Sequence, residues 1–77
     1  MTALQDFRAG VEKTVADLLR ANDLMTSGQI KMQSKNGDEP WRDVTKEIIA
    51  RNKRMISTHQ AILAGVDKLL KDNASLA

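Results

Sequence analysis

Seventy-seven residues with a net charge of +2 and no cysteine leave room for one domain and exclude a disulfide framework or a thiolate site. Phe7 and Trp41 are the sole large rings in a chain that is 42% apolar, so the core has to be aliphatic, which suits packed helices better than a sheet. Twelve Lys/Arg against ten Asp/Glu is too even a balance to argue for nucleic acid.

Thr2 followed by Gln5 has the spacing of a capping box, in which each side chain satisfies a backbone N–H left free at a helix start. A first helix is therefore expected from Ala3. Leu4, Phe7, Val11, Val15, Leu18, Met25 and Met32 recur at threes, fours and sevens, with most charges elsewhere. Thr26, Ser27 and Gly28 weaken helix propensity, but Ile30 and Met32 resume the apolar pattern, and the helix is expected over 3–34. The run Ser34-Lys35-Asn36-Gly37-Asp38-Glu39-Pro40 is the chain reversal, with Gly37 ending the first helix and Asp38 or Glu39 capping the second. Pro40 fits a helical first turn, so the second helix is expected over 40–72, with Asn73-Ala74-Ser75 frayed and no strand anywhere.

That second segment carries large apolar residues every seven positions in two columns: Trp41, Ile48, Met55, Ile62, Leu69 and Leu76 beside Ile49, Ile56, Leu63 and Leu70. If the chain folds back about Gly37, residues equidistant from it lie level. Leu4 then meets Leu70, Val11 meets Leu63, Leu18 meets Ile56, Met25 meets Ile49, Val15 meets His59, and Asn22 meets Asn52. The expected fold is all-α, a single domain over residues 1–77 made of one antiparallel two-helix hairpin. The hairpin consumes one column and leaves Trp41, Ile48, Met55, Ile62, Leu69 and Leu76, with Leu19 and Leu24, as the partner interface. A homodimer forming a four-helix bundle, or a coiled-coil complex with another protein, is the simplest cover.

Asn22, Asn52 and His59 are expected as polar residues fixing the register of the apolar seam. A lone histidine has no second ligand at metal spacing, so no metal, cofactor or catalytic residue is expected, and the paired Asp38 and Glu39 are explained by capping. Arg51, Lys53 and Arg54 are the candidate phosphate contacts of the less favoured alternative, a nucleic-acid-binding helical dimer; no aromatics interleave with them for stacking. Met25, Met32 and Met55 read as core filler, and Trp41 as an end plug or a partner anchor.

No apolar run approaches the 18 or so residues of a membrane span, and no signal-peptide pattern opens the sequence. The cytoplasm is the expected location, with signal-independent export left open. In outline the chain resembles the small helical-hairpin proteins of bacterial specialised secretion systems, whose chaperones and needle subunits have about this length, and secreted hairpins with a Trp-x-Gly turn. Trp41-Arg42-Asp43 lacks that glycine and there is no Pro-x-x-Pro turn, so no functional residue carries over. The favoured expectation is a non-enzymatic interaction module of chaperone, adaptor or inhibitor type acting by helix packing; a structural or chaperone component of such a secretion system is a further alternative.

Overall fold

The computed structural model describes the backbone of residues 2–76 and the side chains of residues 2–72. Its elements are α1 (Ala3–Thr26), β1 (Gln33–Ser34), β2 (Arg42–Asp43) and α2 (Thr45–Leu76). The helices form one antiparallel hairpin, and a two-stranded antiparallel ribbon pairs Gln33 with Asp43 and Ser34 with Arg42 at its closed end.

α1 starts where the sequence places it. The Thr2 hydroxyl accepts from the Gln5 N–H at 3.1 Å, and the Gln5 side chain accepts from the Thr2 N–H at 2.9 Å. It ends eight residues before the expected boundary, at Thr26 rather than Ser34. The reason is Gly28, whose φ of +82° is open to glycine. The Gly28 N–H donates to the Met25 carbonyl and the Gln29 N–H to the Leu24 carbonyl, the paired bonds of a Schellman stop. Ile30 and Met32 continue an apolar pattern but not a helix.

The early stop leaves residues 29–44 outside the helices, where backbone polar groups need other partners, and those of Met32 and Val44 find them across the ribbon. The Val44 N–H donates to the Met32 carbonyl at 2.9 Å, and the Met32 N–H donates to the Thr45 hydroxyl at 2.9 Å. The expectation of no strand is corrected accordingly. Gly37, with φ of +56°, opens a turn closed by the Glu39 N–H on the Asn36 carbonyl. The reversal is thus where the sequence placed it, but it joins strands. α2 begins at Thr45, five residues later than Pro40, and continues to Leu76, beyond the expected end at Asp72. Asp43, not Asp38 or Glu39, serves its start by accepting from the Thr45 N–H at 2.9 Å.

The seam between the helices follows a heptad pattern. From α1, Val11, Val15, Asn22 and Met25 are buried; from α2, Thr45, Asn52, Ile56 and Val66 are buried, while Ile49, His59, Leu63 and Leu70 are half-buried. The column packed beside Ile49, Ile56, Leu63 and Leu70 is therefore Thr45, Asn52, His59 and Val66, three of them polar. Asn52 Nδ2 donates to Asn22 Oδ1 at 3.0 Å, and Asn22 Nδ2 donates to the Ile49 carbonyl at 3.3 Å. The two asparagines satisfy one another in the seam and fix the register that folding about Gly37 implies.

Replacing one buried partner strands the other, at about 1–3 kcal/mol, whereas replacing both with apolar groups is far cheaper. Asn52→Leu is expected to lower the melting temperature at fixed protein concentration by about 4 °C or more, and Asn22→Leu with Asn52→Leu to recover most of that loss. Thermal melts followed by circular dichroism check this; additive losses would contradict it. Gly28→Ala, forced into positive φ, is expected to cost about 1 kcal/mol in the same measurement.

Candidate functional site

A hairpin has two flanks, one on each side of its seam, and here they differ. One flank is polar. Arg8 of α1 pairs with Asp67 of α2 through its Nε and also with Glu12 one turn along its own helix, tying the open end of the hairpin. The guanidinium holds the Asp67 carboxyl below the usual aspartate range. Near the closed end, hydrogen bonds from Thr45 hold the Asp43 carboxyl below that range, with smaller contributions from the nearby Lys31 and Lys46 charges.

The other flank is apolar. At about 100° per residue, positions seven apart drift by only about 20°, so Ile48, Met55, Ile62 and Leu69 stay on one side of α2. Ile48 is half-buried, Met55 and Ile62 are each 37% exposed and Leu69 is 53% exposed. Exposure rises from the closed end, where Ile48 shares a groove with Leu18, Ile30 and Met32, toward the open end. On α1, Phe7, Leu18 and Met25 share an angle to within about 20°. Phe7 is 52% exposed, Leu18 half-buried and Met25 buried.

At the closed end the flank deepens into an open groove of about 360 Å³ lined by Leu18, Leu24, Ile30, Met32 and Ile48 with Arg51 at its edge. Leu24 therefore belongs to this flank as expected. Leu19 lies about 100° round α1 from Leu18 and outside it. Ile30 and Met32, which the sequence assigned to a helix, reach the groove from the extended segment before β1 and remain substantially exposed. Their period gave no hint of that route. Met32 and Met55 are surface residues, and Met25 alone of the three expected methionines is core.

Trp41 stands apart from the column it was grouped with. It lies in the loop before β2, 64% exposed, with Lys35 Nζ 5.8 Å from its ring centroid. It neither plugs the bundle end nor continues the α2 stripe. The side chain of Leu76 lies outside the described residues. His59 does not join the asparagine pair: its Nδ1 is 2.7 Å from the Met55 carbonyl oxygen of its own helix. A carbonyl accepts only, so Nδ1 carries the proton in that bond. Arg51, Lys53 and Arg54 are all exposed, but Lys53 lies about 160° round the helix from Arg51. Arg51 and Arg54 share a side; Lys53 does not.

Among the described residues no group of three or more His, Asp or Glu is placed to hold a metal ion, and no helix is long and apolar enough to cross a membrane. What this arrangement offers is surface: a strip of aliphatic side chains some 30 Å long on α2, with a groove at one end and an ion-paired flank behind it. Comparison with family models, with curated proteins and with solved structures finds no match.

The acidic limb of stability reports on the polar flank. Asp43 and Asp67 have folded pKa values below their unfolded ones, so their stabilisation is present above about pH 4 and is lost as pH falls through the depressed values. The melting temperature is expected to fall over that range, and Asp67→Asn to flatten the fall. An Asp67→Asn profile parallel to the native one would show that the Arg8 pair contributes nothing.

Proposed function

We propose that this chain is a small protein–protein interaction module, working in the cytoplasm by association rather than catalysis, in the manner of an adaptor, chaperone or inhibitor. The observation that carries the reading is the exposure of Met55, Ile62 and Leu69 along one flank of α2, continuous with the groove beside Ile48. Scattered apolar side chains are ordinary on a protein surface, whereas an aligned strip bounded by charge is the usual form of an interaction site. Burying each such side chain contributes about 1.5–3 kcal/mol. Several together can offset the entropy of association.

The runner-up is nucleic-acid binding through the basic residues of α2. It rests on Arg51 and Arg54 alone, since Lys53 faces elsewhere, and two arginines supply a small share of the phosphate contacts a stable complex makes.

The reading predicts an asymmetry between neighbouring positions. Met55→Glu and Ile62→Lys, which put a charge into the strip, are each expected to weaken association by about two orders of magnitude or more. Lys53→Glu, away from the strip, is expected to leave it nearly unchanged. Light scattering and affinity capture with the full chain measure both. Equal tolerance of all three substitutions would overturn the reading, and steeply salt-dependent binding to a DNA duplex, lost on replacing Arg51 and Arg54, would install the runner-up.

A further inference from the structure

We infer that the occupant of the apolar flank is a second copy of this chain, stacked face to face about a two-fold axis crossing the helices at the level of Thr58 and His59, so that α2 runs antiparallel to its counterpart. The inference rests on the interaction reading above and adds who the partner is and how it docks.

The exposed area is larger than a lone chain of this mass should leave. The chain exposes 5990 Å², whereas a compact monomer of 8.5 kDa exposes about 4,700 Å² by the scaling of surface with mass. The surplus, about 1,300 Å² per chain, exceeds the roughly 800 Å² per partner of a stable interface. Shape agrees with area: the radius of gyration is 17.4 Å and the extents are 60 × 26 × 19 Å, against about 11.5 Å expected for a compact chain of this length. Among the described residues no large side chain is fully buried. One layer of two helices is half of the two-layer arrangement that ordinarily encloses a core, and a second identical layer supplies the missing half.

The flank is also complementary to itself. A half-turn about the level of Thr58 and His59 brings Ile48 opposite Leu69 of the second copy and Met55 opposite its Ile62, apolar on apolar at every step. The register of the hairpin sets that level beside Val15 and Ala16 of α1. There the same half-turn brings Phe7 opposite Leu24, and Gly10 opposite Ala21, where a Cβ added to Gly10 would meet nothing in the single chain. The charges at the edge are mixed in sign: the second copy's Lys68 falls midway between Glu47 and Arg51, and Lys13 falls next to its Asp17. The parallel alternative would set Arg51 against Arg51 and Arg54 against Arg54, which like-charge repulsion disfavours.

The chain has no cysteine, so introduced thiols report the arrangement without background. Sedimentation equilibrium of the native chain is expected to give the mass of two chains. Under mild oxidation, Thr58→Cys, at an exposed position, is expected to cross-link to its own copy. Ile48→Cys and Leu69→Cys chains, when mixed, are expected to cross-link to each other in preference to themselves. Where a thiol variant loses its helical circular dichroism, a charge replaces it: Lys13→Asp, beside Asp17 of the second copy, should weaken the dimer about two- to fivefold, and Lys13→Asp with Asp17→Lys should restore it.

A dimer in which Ile48→Cys links chiefly to itself overturns the antiparallel arrangement. A native chain that stays monomeric at the highest concentration it tolerates, yet captures another protein in a manner lost with Met55→Glu, overturns the second copy while the interaction reading stands. A monomer in which Met55→Glu changes neither capture nor melting overturns both.

Discussion

Every level of this structure depends on the register of α1 against α2, and the bond that sets it is the one between Asn22 and Asn52. Aliphatic contacts at heptad spacing are nearly as favourable after a slip of one heptad, because leucine exchanges for isoleucine at modest cost. A pair of buried amides has no such tolerance. Slipped by a heptad, Asn52 would face Val15 or run past the end of α1, and Asn22 would meet Thr45 or His59, which already bond to Met32 and Met55, so the amide pair would be lost at a cost larger than the net worth of the bond itself. Asn22 also donates to the Ile49 carbonyl, so the pair anchors to backbone as well as to side chain. With this level fixed, Arg8 lies within reach of Asp67 and Met32 within reach of Val44 and Thr45. The same level decides which apolar residues are left outside.

The sequence announced that level, because folding about Gly37 pairs the two asparagines, and it announced both helices and the Thr2–Gln5 cap. It misled at Gly28. Gly28 and Gly37 both adopt positive φ, one as a helix stop and the other inside a turn, and nothing in either residue distinguishes those uses. What separates them is the backbone between, whose hydrogen bonds join Met32 to Val44 and Thr45, thirteen or so residues along the chain. Local propensity holds no record of such a partner. Asp43 escaped notice for the same reason, since Asp38 and Glu39 stand closer to the proline that suggested a helix start.

The apolar columns of α2 were legible and their roles partly so. Ile49, Ile56, Leu63 and Leu70 do face α1, but the column packed beside them is Thr45, Asn52, His59 and Val66, which hydrophobicity alone passes over. Thr45 works there as a joint, bonding Met32 with both lone pair and proton. His59 turns back to its own helix, and Asn52 crosses the seam. A seam carrying this many polar groups excludes Met55, Ile62 and Leu69 from its interior, because their column lies one step farther round the helix. The exposed strip is thus the geometric counterpart of the polar column.

This division has a thermodynamic consequence. The side of the helices that packs within the hairpin secures specificity through hydrogen bonds, whose net contribution is small, while much of the large aliphatic surface, which carries most of the driving force for burial, lies on the outer flank. A hairpin built this way holds its register well but buries only part of its aliphatic surface in its own seam, where Val11, Val15, Met25, Ile56 and Val66 are covered, and a chain of this size is marginal to begin with. With the second copy proposed above, covering the outer flank would stabilise the folded state by mass action, and folding and association would rise together with protein concentration. On the proposed association, stability and binding draw on one surface, and a substitution on the strip acts on both at once.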